Sequence, residues 1–575
     1  MKHSFISILT ILCCLFLGFS CSSENSATQS PAPKADLPIP HLEKRGNVTQ
    51  LIVKGEPYLA LAGELHNSSS SSTEYMKSIW PKLKSTGLNT VLAVISWEQV
   101  EPVEGTFDFS TVDDLIRDAK ANDMKVVMLW FGSWKNGITS YVPKWVQTDT
   151  KRFPLIQTKD GKNLNILSTL GAESAKADAK AYGAVMKHIR EIDDDQTIIM
   201  IQVENEVGMH GYTRDYRPEA VAAFEADVPA ELMQYLVKNK ANLLPELQAA
   251  WDAAGGKTSG NWETVFGKGD YTDELFMAWN YAKYLNTVAA AGKAEYPVPT
   301  FVNTWIVQPQ DNHPGDYPSG GPQAQNHDIW RAGAPNIDIL SPDIYLTDYP
   351  GILTRYSRNG NPVFVPESAA GTNGAANAVY TVGERGGIGY SPFGIESRGY
   401  VSSNTGIVTN ADASSDIQPF TFTYLQLQSM ASEILAHQAN GTIHAAWLKG
   451  ASPEITESTF DMGKYRVKAT LHGSRSGAAM GYALIMMDAE DQFTVMGRDV
   501  DVTFAPIDGK SIAGLAKIQE GDFVNNEWVA ERWLNGDEIQ LRYDLLKALE
   551  EGQSGQGLRF SAGNNKLQRV WLFNY

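Results

Sequence analysis

Cysteine is almost absent from this chain of 575 residues. The three cysteines are Cys13, Cys14 and Cys21, and they all stand in the N-terminal segment. The rest of the sequence therefore has no disulfide bond and no thiol for catalysis or metal binding.

Basic clusters are missing as well. The chain has 48 Lys and Arg against 66 Asp and Glu, which gives a formal net charge of −18 at pH 7. Without a basic block to neutralise phosphates, we expect no nucleic-acid partner, whereas neutral ligands remain open. Hydrophobic residues make up 43% of the chain, which is typical of a globular protein with large cores.

The sequence also lacks the usual patterns of metal and nucleotide sites. Its ten histidines form no His-x-x-x-His pair or comparable cluster. The glycine-rich stretch at residues 386–389 precedes a predicted strand, whereas a phosphate-binding loop follows one. We therefore expect no metal and no cofactor.

The N-terminus has the order of an export signal. An apolar run from Phe5 to Phe19, too short for a transmembrane helix, leads into Ser20-Cys21. We expect residues 1–20 to be a signal peptide and Cys21, at the end of a lipobox-like segment, to carry lipid. Residues 21–45 would then tether the protein to a membrane of the cell envelope, in the periplasm or at the outer membrane. The alternative is an ordinary signal peptide that is cleaved nearby.

Residues 46–452 alternate short apolar runs with helical patterns, which predicts βα units around a parallel sheet. Eight runs are rich in β-branched or aromatic residues and are bounded by polar, Gly or Pro signals. They are Tyr58–Leu65, Thr90–Ile95, Lys125–Trp130, Thr197–Val203, Thr300–Ile306, Ile337–Tyr345, Pro362–Pro366 and Ile388–Phe393. Eight strands are the number that a closed barrel needs, so we predict an α/β fold, a (β/α)8 TIM barrel.

Helical spacing of apolar residues predicts the outer helices of this barrel. They include Glu74–Thr86, Asp113–Asn122, Ala172–Ile192 and Gln418–Asn440. An insertion at about residues 207–295 holds further amphipathic stretches, which either wall the site or form an oligomer contact. A homo-oligomer is therefore compatible with the sequence.

The pattern changes after residue 452. Apolar residues now alternate with period two, as at Tyr465, Val467 and Ala469. We predict an antiparallel β-sandwich over residues 453–575, which serves as an accessory domain.

The strongest catalytic signal is an apolar strand that ends in Asn205-Glu206. In a barrel, the carboxyl ends of the strands carry the active site. A glycosidase needs an acid that protonates the leaving oxygen, and Glu206 is placed for this role, with Asn205 beside the sugar 2-hydroxyl. Glu204 is expected to point the same way, deeper in the barrel. If both acids were ordinary strand-end carboxylates, burying them beside a core would be costly.

A second apolar strand, Asn361–Val365, leads to Glu367. Our strand assignment puts Glu206 and Glu367 on strands four and seven, whose ends face each other across the barrel mouth. A retaining glycosidase needs two carboxylates about 5–5.5 Å apart. We expect Glu367 to be the nucleophile; the alternative is an acid that interacts with the dipole of the following helix.

These motifs resemble clan A of the glycoside hydrolases, whose acid/base follows an Asn at the end of strand four and whose nucleophilic Glu ends strand seven. Within the clan, the chain is most similar to a divergent bacterial branch of the family 35 β-galactosidases, with family 42 second. The similarity is carried by Gly63–His66, Gly87–Val91, Trp97–Phe109 and Gln202–Gly208 and covers about residues 50–450.

The resemblance also implies sugar contacts. Clan members place a Tyr at the end of strand six that hydrogen-bonds the nucleophile, and Tyr345 matches it. The galactose-reading Tyr and Glu of well-known family 35 members align with Val94 and Ser133, so the identity of the sugar stays open.

Other predicted strand ends offer further contacts. Trp305 has an aromatic face for stacking on a pyranose, and Glu64 and Asn136 are placed to receive hydroxyls of the terminal sugar. The alternative for these residues and for Tyr345 is that they bind no sugar and only pack at the barrel rim or contact solvent there.

Three functions are compatible with the sequence. The first is a retaining exo-glycosidase that releases terminal β-galactose from oligo- or polysaccharides. The second keeps the mechanism but acts on another terminal sugar, such as a β-glucoside, an arabinopyranoside or a β-mannoside. The third is a noncatalytic glycan-binding surface lipoprotein. Such proteins usually lose a catalytic carboxylate, whereas Glu206 and Glu367 are both present.

Overall fold

The computed structural model describes residues 37–398, 417–451, 454–472, 480–541, 545–562 and 566–575. The predicted signal peptide and Cys21 lie outside these residues. Residues 38–575 form one unit, which begins with a small antiparallel sheet. Its strands are His41–Arg45 (β1), Val48–Val53 (β2) and Glu56–Tyr58 (β3). Leu51 and Val53 of this sheet pack into the barrel interior, at the end where the barrel strands begin.

The eight predicted strands all form, and they build one parallel sheet. They are Ala60–Glu64 (β4), Thr90–Ser96 (β5), Lys125–Lys135 (β6), Ile198–Asn205 (β9), Thr300–Trp305 (β10), Ile339–Asp343 (β11), Phe364–Val365 (β12) and Gly389–Tyr390 (β13). The edge strands β11 and β12 meet through a parallel bridge between Ile344 and Ser368. The sheet thereby curls into the predicted (β/α)8 barrel. A short hairpin, Leu155–Gln157 (β7) with Asn163–Leu167 (β8), projects between β6 and β9.

Helices surround the sheet. The first six are Thr73–Met76 (α1), Trp80–Ser85 (α2), Trp97–Val100 (α3), Ser110–Ala121 (α4), Lys144–Thr148 (α5) and Ala172–Ile192 (α6). After the insertion follow Asp270–Glu295 (α11), His327–Gly333 (α12), Tyr349–Tyr356 (α13), Gly371–Gly383 (α14), Gln418–Ser429 (α15) and Ala431–Asn440 (α16). Several of these helices, such as α4 and α6, bury one apolar face against the sheet, whereas α11 and α14 are buried on more than one side. No helix in the described ranges combines the length and apolarity needed to cross a membrane.

The predicted insertion contains four short helices before α11. They are Pro218–Glu225 (α7), Ala230–Lys238 (α8), Pro245–Ala253 (α9) and Trp262–Phe266 (α10). Trp251 and Trp262 are buried in the core that the insertion shares with the outer helices. α8 packs on α12 and α10 packs on α11, so the insertion widens the flank of the barrel.

Two antiparallel sheets form the predicted C-terminal sandwich around a separate core. The six-stranded sheet contains Ile443–Lys449 (β14), Met480–Ala489 (β17), Gln492–Arg498 (β18), Ala513–Val524 (β20), Glu527–Trp533 (β21) and Leu567–Asn574 (β23). The four-stranded sheet contains Glu457–Met462 (β15), Tyr465–Leu471 (β16), Val500–Pro506 (β19) and Leu558–Phe560 (β22). One further helix, Leu545–Glu550 (α17), lies between β21 and β22.

The sandwich begins before residue 452. β14 pairs along its whole length with β17, and α14 packs on both strands. A Cβ atom added at Gly383, the last residue of α14, would lie 2.3 Å from Leu484 and 2.7 Å from Ala445. The indole of Trp447 donates to Asn377 of the same helix at 2.9 Å. Barrel and sandwich are therefore packed tightly together.

Candidate active site

Three carboxyl groups meet at the carboxyl ends of the barrel strands. Glu206 follows β9, Asp343 ends β11 and Glu367 follows β12. One oxygen of each carboxyl lies within 4.8 Å of those of the other two. Their residues are only 7%, 3% and 6% exposed, respectively. The two acids predicted to be catalytic are thus brought together, and Asp343, which we did not predict, lies with them.

Asn303 on β10 links these acids. Its Oδ1 accepts a hydrogen bond from the backbone N–H of Glu206 at 2.9 Å. Its Nδ2 donates to Asp343 at 2.8 Å and to Oε1 of Glu367 at 3.5 Å. Sequence reasoning missed Asn303, although a buried amide inside the apolar strand Phe301–Trp305 is a usable signal for a role there.

Tyr345 lies on the other side of Glu367. Its hydroxyl donates a hydrogen bond to Oε2 of Glu367 at 3.0 Å. Glu367 therefore accepts hydrogen bonds at both oxygens, from Asn303 and from Tyr345. These two hydrogen bonds orient the carboxyl group.

The backbone is left-handed on both sides of Asn205. Glu204 has φ +63° and Glu206 has φ +44°, conformations that cost about 1–3 kcal/mol for non-glycine residues. They break the alternation of side chains along β9. Our expectation that Glu204 points the same way as Glu206 is therefore wrong: its carboxylate accepts hydrogen bonds from the backbone N–H groups of Ser133 and Trp134, behind the site.

Three carboxyl groups of the site have raised pKa values. Burial and the charge of Glu367 raise the pKa of Glu206 to about 8, although the ammonium group of Lys135 acts in the opposite direction. Burial, followed by the same charge, also raises the pKa of Asp343 and of Glu64 well above the usual range. At neutral pH Glu206 therefore carries the proton that a general acid must donate.

The same trio is the only carboxylate group among the described residues with the spacing to hold a cation. A cation bound there would compete with the proton of Glu206, because burial and the charge of Glu367 raise the pKa of Glu206 to about 8. Metal binding by the trio and proton donation by Glu206 would therefore exclude each other.

Residues 66–267 match a family model described as Beta-galactosidase. It is the model of glycoside hydrolase family 42, and its match includes Glu206 but ends before Glu367. A second match, to a domain of unknown function (DUF5597), covers residues 420–545, from the last barrel helices into the sandwich.

Related proteins cover only part of the chain. A "Beta-galactosidase" of Xanthomonas manihotis is 30% identical over 188 residues, which are 30% of this chain and 29% of that protein. "Beta-galactosidase 11" of Arabidopsis thaliana is 32% identical over 117 residues, which are 18% of this chain and 14% of that protein. The chain thus matches less than a third of the length of these two relatives.

A solved structure with a similar backbone is the β-galactosidase of Bacillus circulans sp. alkalophilus. It has a TM-score of 0.43 and 15% sequence identity, and the alignment covers 66% of this chain and 57% of that one.

The predicted sugar-contacting residues lie around the trio at different depths. Asn205 is buried, and its Oδ1 accepts a hydrogen bond from Lys135 at 2.9 Å. Glu64, at the end of β4, is fully buried and close enough to Glu367 for the charges to interact. Asn136 is half-buried with φ +52°, and its backbone N–H donates to the carbonyl of Asn205 at 3.2 Å.

Trp305 is placed at the rim. It is partly exposed at the end of β10, and the ring of His210 meets it edge-on at 5.0 Å between centroids. Its partial exposure leaves some of the side chain accessible, which stacking on a sugar would require.

The two positions that depart from family 35 offer no polar group to the trio. Val94 packs into the apolar barrel interior. The hydroxyl of Ser133 donates to Asp178 on α6 at 2.6 Å, on the outer side of the sheet. Lys135 was not predicted as a site residue. Its positive charge lowers the pKa of Glu206 and of Glu64.

Proposed function

We propose that the chain is a retaining exo-glycosidase that releases terminal β-galactose from oligo- or polysaccharides. The observation that carries this proposal is the spacing of Glu206 and Glu367, whose nearest oxygens lie within 4.8 Å. Retaining enzymes hold their two carboxyl groups about 5–5.5 Å apart, whereas inverting enzymes leave room for a water at about 6.5–9.5 Å.

The first step forms a glycosyl-enzyme. Glu367 attacks the anomeric carbon while the protonated Glu206 donates its proton to the glycosidic oxygen, so that the C–O bond breaks and a neutral alcohol leaves. The surroundings of the two residues support these roles. Glu206 keeps its proton at neutral pH, as an acid must, and Glu367 is oriented by two hydrogen bonds that it accepts.

The second step returns the enzyme to its starting state. Glu206, now ionised, takes a proton from water, the resulting hydroxide bonds to the anomeric carbon, and the carboxylate of Glu367 leaves. Asn205 is positioned to hydrogen-bond the 2-hydroxyl, with Lys135 holding its side chain.

The choice of galactose is supported by the family 42 match and by the names of the relatives. We further propose the divergent branch of family 35 from the motifs Trp97–Phe109 and Gln202–Gly208 alone, because the model that matches this region is that of family 42. A different terminal sugar, such as glucose, arabinopyranose or mannose, remains the second candidate, because Val94 and Ser133 do not offer the usual galactose contacts. A noncatalytic glycan-binding role is disfavoured by the intact acids and Tyr345.

We also propose that Cys21 is lipidated and anchors the enzyme in the cell envelope. This rests on the order of the N-terminal sequence and on the tether that follows it. The flank formed by the insertion offers a surface for a homo-oligomer.

The decisive experiment incubates the purified protein with a panel of chromogenic glycosides and follows the best substrate by proton NMR. We expect the β-galactoside to be cleaved fastest and the β-anomer to appear first. Faster cleavage of another glycoside would replace the sugar and keep the mechanism. Inversion would refute the double displacement, and binding without any cleavage would indicate the noncatalytic role.

A further inference from the structure

Two carboxyl groups lie behind the proposed site, between the sheet and the outer helices. Glu204 belongs to β9 and Asp178 to α6, and both are completely buried. Among the described residues, no Lys, Arg or His forms an ion pair with either carboxyl. The titratable groups that face them are the phenols of Tyr182 and Tyr284, which burial keeps neutral by raising their pKa.

Both carboxyls approach the backbone of Gly132 on β6. A Cβ atom added there would lie 2.5 Å from Oε1 of Glu204 and 2.8 Å from Oδ1 of Asp178. A side chain at this position would displace at least one carboxyl. Glycine is therefore required for the two acids to meet at this point.

The two acids have different contacts. Glu204 accepts two backbone hydrogen bonds, from Ser133 at 3.0 Å and from Trp134 at 2.7 Å. Asp178 accepts from the indole of Trp130 at 2.9 Å and from the hydroxyl of Ser133 at 2.6 Å, and it also bonds to the backbone N–H of Ser133 and to the carboxyl of Glu204. Glu204 thus holds the backbone at the end of β6, and Asp178 contacts Glu204 from the side of α6.

Two carboxylates in a dry interior without a cation cannot both stay ionised. Burial raises the pKa of both groups, and the charge of Asp178 raises that of Glu204 further. The pair therefore retains a proton well above the pH at which an exposed carboxyl would lose it.

The pair is connected to the catalytic residues through the backbone. Glu204, at φ +63°, immediately precedes Asn205 and Glu206. On the neighbouring strand, Lys135 follows Trp134 directly and donates to Asn205. Any shift of the Ser133–Trp134 backbone must therefore move Lys135 relative to Asn205.

We propose that Glu204 and Asp178 share one proton and act together as a positioning pair that fixes Lys135, Asn205 and Glu206 for catalysis. This inference rests on the proposed glycosidase function. The proton lies between the two carboxyls and takes no part in the reaction.

Two isosteric variants separate the roles of the pair. In Glu204→Gln, an NH2 group must face a backbone N–H of Ser133 or Trp134, so the end of β6 has to shift. In Asp178→Asn, the new NH2 group donates to the carboxylate of Glu204 in place of the shared proton. The hydroxyl of Ser133 can then reverse its direction, because it also contacts Tyr284 at 2.7 Å.

We expect Glu204→Gln to lower kcat by about 100-fold with little change in KM, as a small misplacement of catalytic groups does. The loss should be larger for alkyl glycosides than for activated aryl glycosides, because only the former need Glu206 as acid. A merely structural defect would reduce both equally. Asp178→Asn keeps a hydrogen bond to Glu204 and should therefore lower kcat less than Glu204→Gln does. Wild-type kinetics in Glu204→Gln would overturn the positioning role.

Direct titration of native and guanidinium-unfolded protein tests the proton without any activity. At pH 6 an unfolded Asp or Glu is ionised, so unfolding releases every proton that a buried carboxyl retains. We expect both variants to release one proton fewer than the wild type. An unchanged count would overturn the sharing. If the wild type cleaves no glycoside, the proposed function fails, whereas this count still decides whether the pair holds a proton.

Discussion

The hydroxyl of Tyr345 lies 3.0 Å from Oε2 of Glu367 and donates a hydrogen bond to it. A hydrogen bond to a charged group contributes about 1.5–3 kcal/mol, so Tyr345→Phe should lower kcat/KM by about 10- to 100-fold. Tyr349→Phe is a suitable control, because the hydroxyl of Tyr349 bonds to Thr381, away from the trio. Equal kinetics for the Tyr345 variant and the wild type would contradict the role of this contact.

The two catalytic acids should respond differently to the leaving group. Glu367→Ala should abolish hydrolysis even of activated aryl glycosides, because no glycosyl-enzyme can form. Glu206→Ala should still cleave them, and azide should accelerate its turnover to a β-glycosyl azide. Product analysis by NMR assigns the roles. If azide rescues Glu367→Ala and not Glu206→Ala, and the product is an α-glycosyl azide, Glu367 is the nucleophile and the role of Glu206 as acid is not supported.

The alkaline limb of the pH profile should report Glu206. In the wild type, kcat/KM should fall as the pH rises through about 8, because the deprotonated Glu206 cannot act as an acid. Lys135 lowers the pKa of Glu206, so Lys135→Met should move this limb to higher pH. Lys135→Arg retains the charge and should leave it in place. A limb that moves to lower pH in Lys135→Met would show that another group controls it.

Asp343 should be replaceable by its amide but not by alanine. Burial and the charge of Glu367 raise the pKa of Asp343 well above its usual range, which favours the neutral acid, and Asp343→Asn conserves both that neutral charge and the acceptor for Asn303. Asp343→Ala leaves that buried donor unpaired, at a cost of about 1–3 kcal/mol. Urea unfolding and kcat should both show the difference. If the amide variant is as impaired as the alanine variant, Asp343 acts in its ionised form.

The lipid anchor can be tested by detergent partitioning. The parent protein should enter the detergent phase, whereas Cys21→Ser should stay in the aqueous phase because it lacks the acylated thiol. Equal partitioning of the two forms would exclude an anchor at this cysteine.

The sequence was sufficient for the barrel because buried parallel strands are continuous apolar runs, and each of the eight ended in a polar or Gly/Pro signal. Glu206 and Glu367 could be predicted because each follows such a run, and Tyr345 because it ends the sixth predicted strand, where the resemblance to clan A implies a Tyr. Asp343 was missed because it lies within the predicted strand Ile337–Tyr345, where nothing marked its side chain as facing the mouth.

The orientation of Glu204 could not be predicted. Side-chain alternation is a rule of regular strands, and the left-handed backbone at Glu204 and Glu206 breaks it. The start of the sandwich was also placed too late to include β14, because Ile443–Lys449 is an apolar run like those of the barrel.

The close fit of Gly383 against Leu484 and Ala445 means that the barrel cannot be separated from the sandwich without losing packing contacts. α14 begins four residues after Glu367, so the segment that carries the proposed nucleophile runs into a helix whose outer surface is completed by the sandwich. The barrel therefore depends on the sandwich to bury one of its own helices. A fusion that exchanged the C-terminal part for an unrelated module would expose the apolar side of α14. The backbone that carries Glu367 would then lose the support of a well-packed helix.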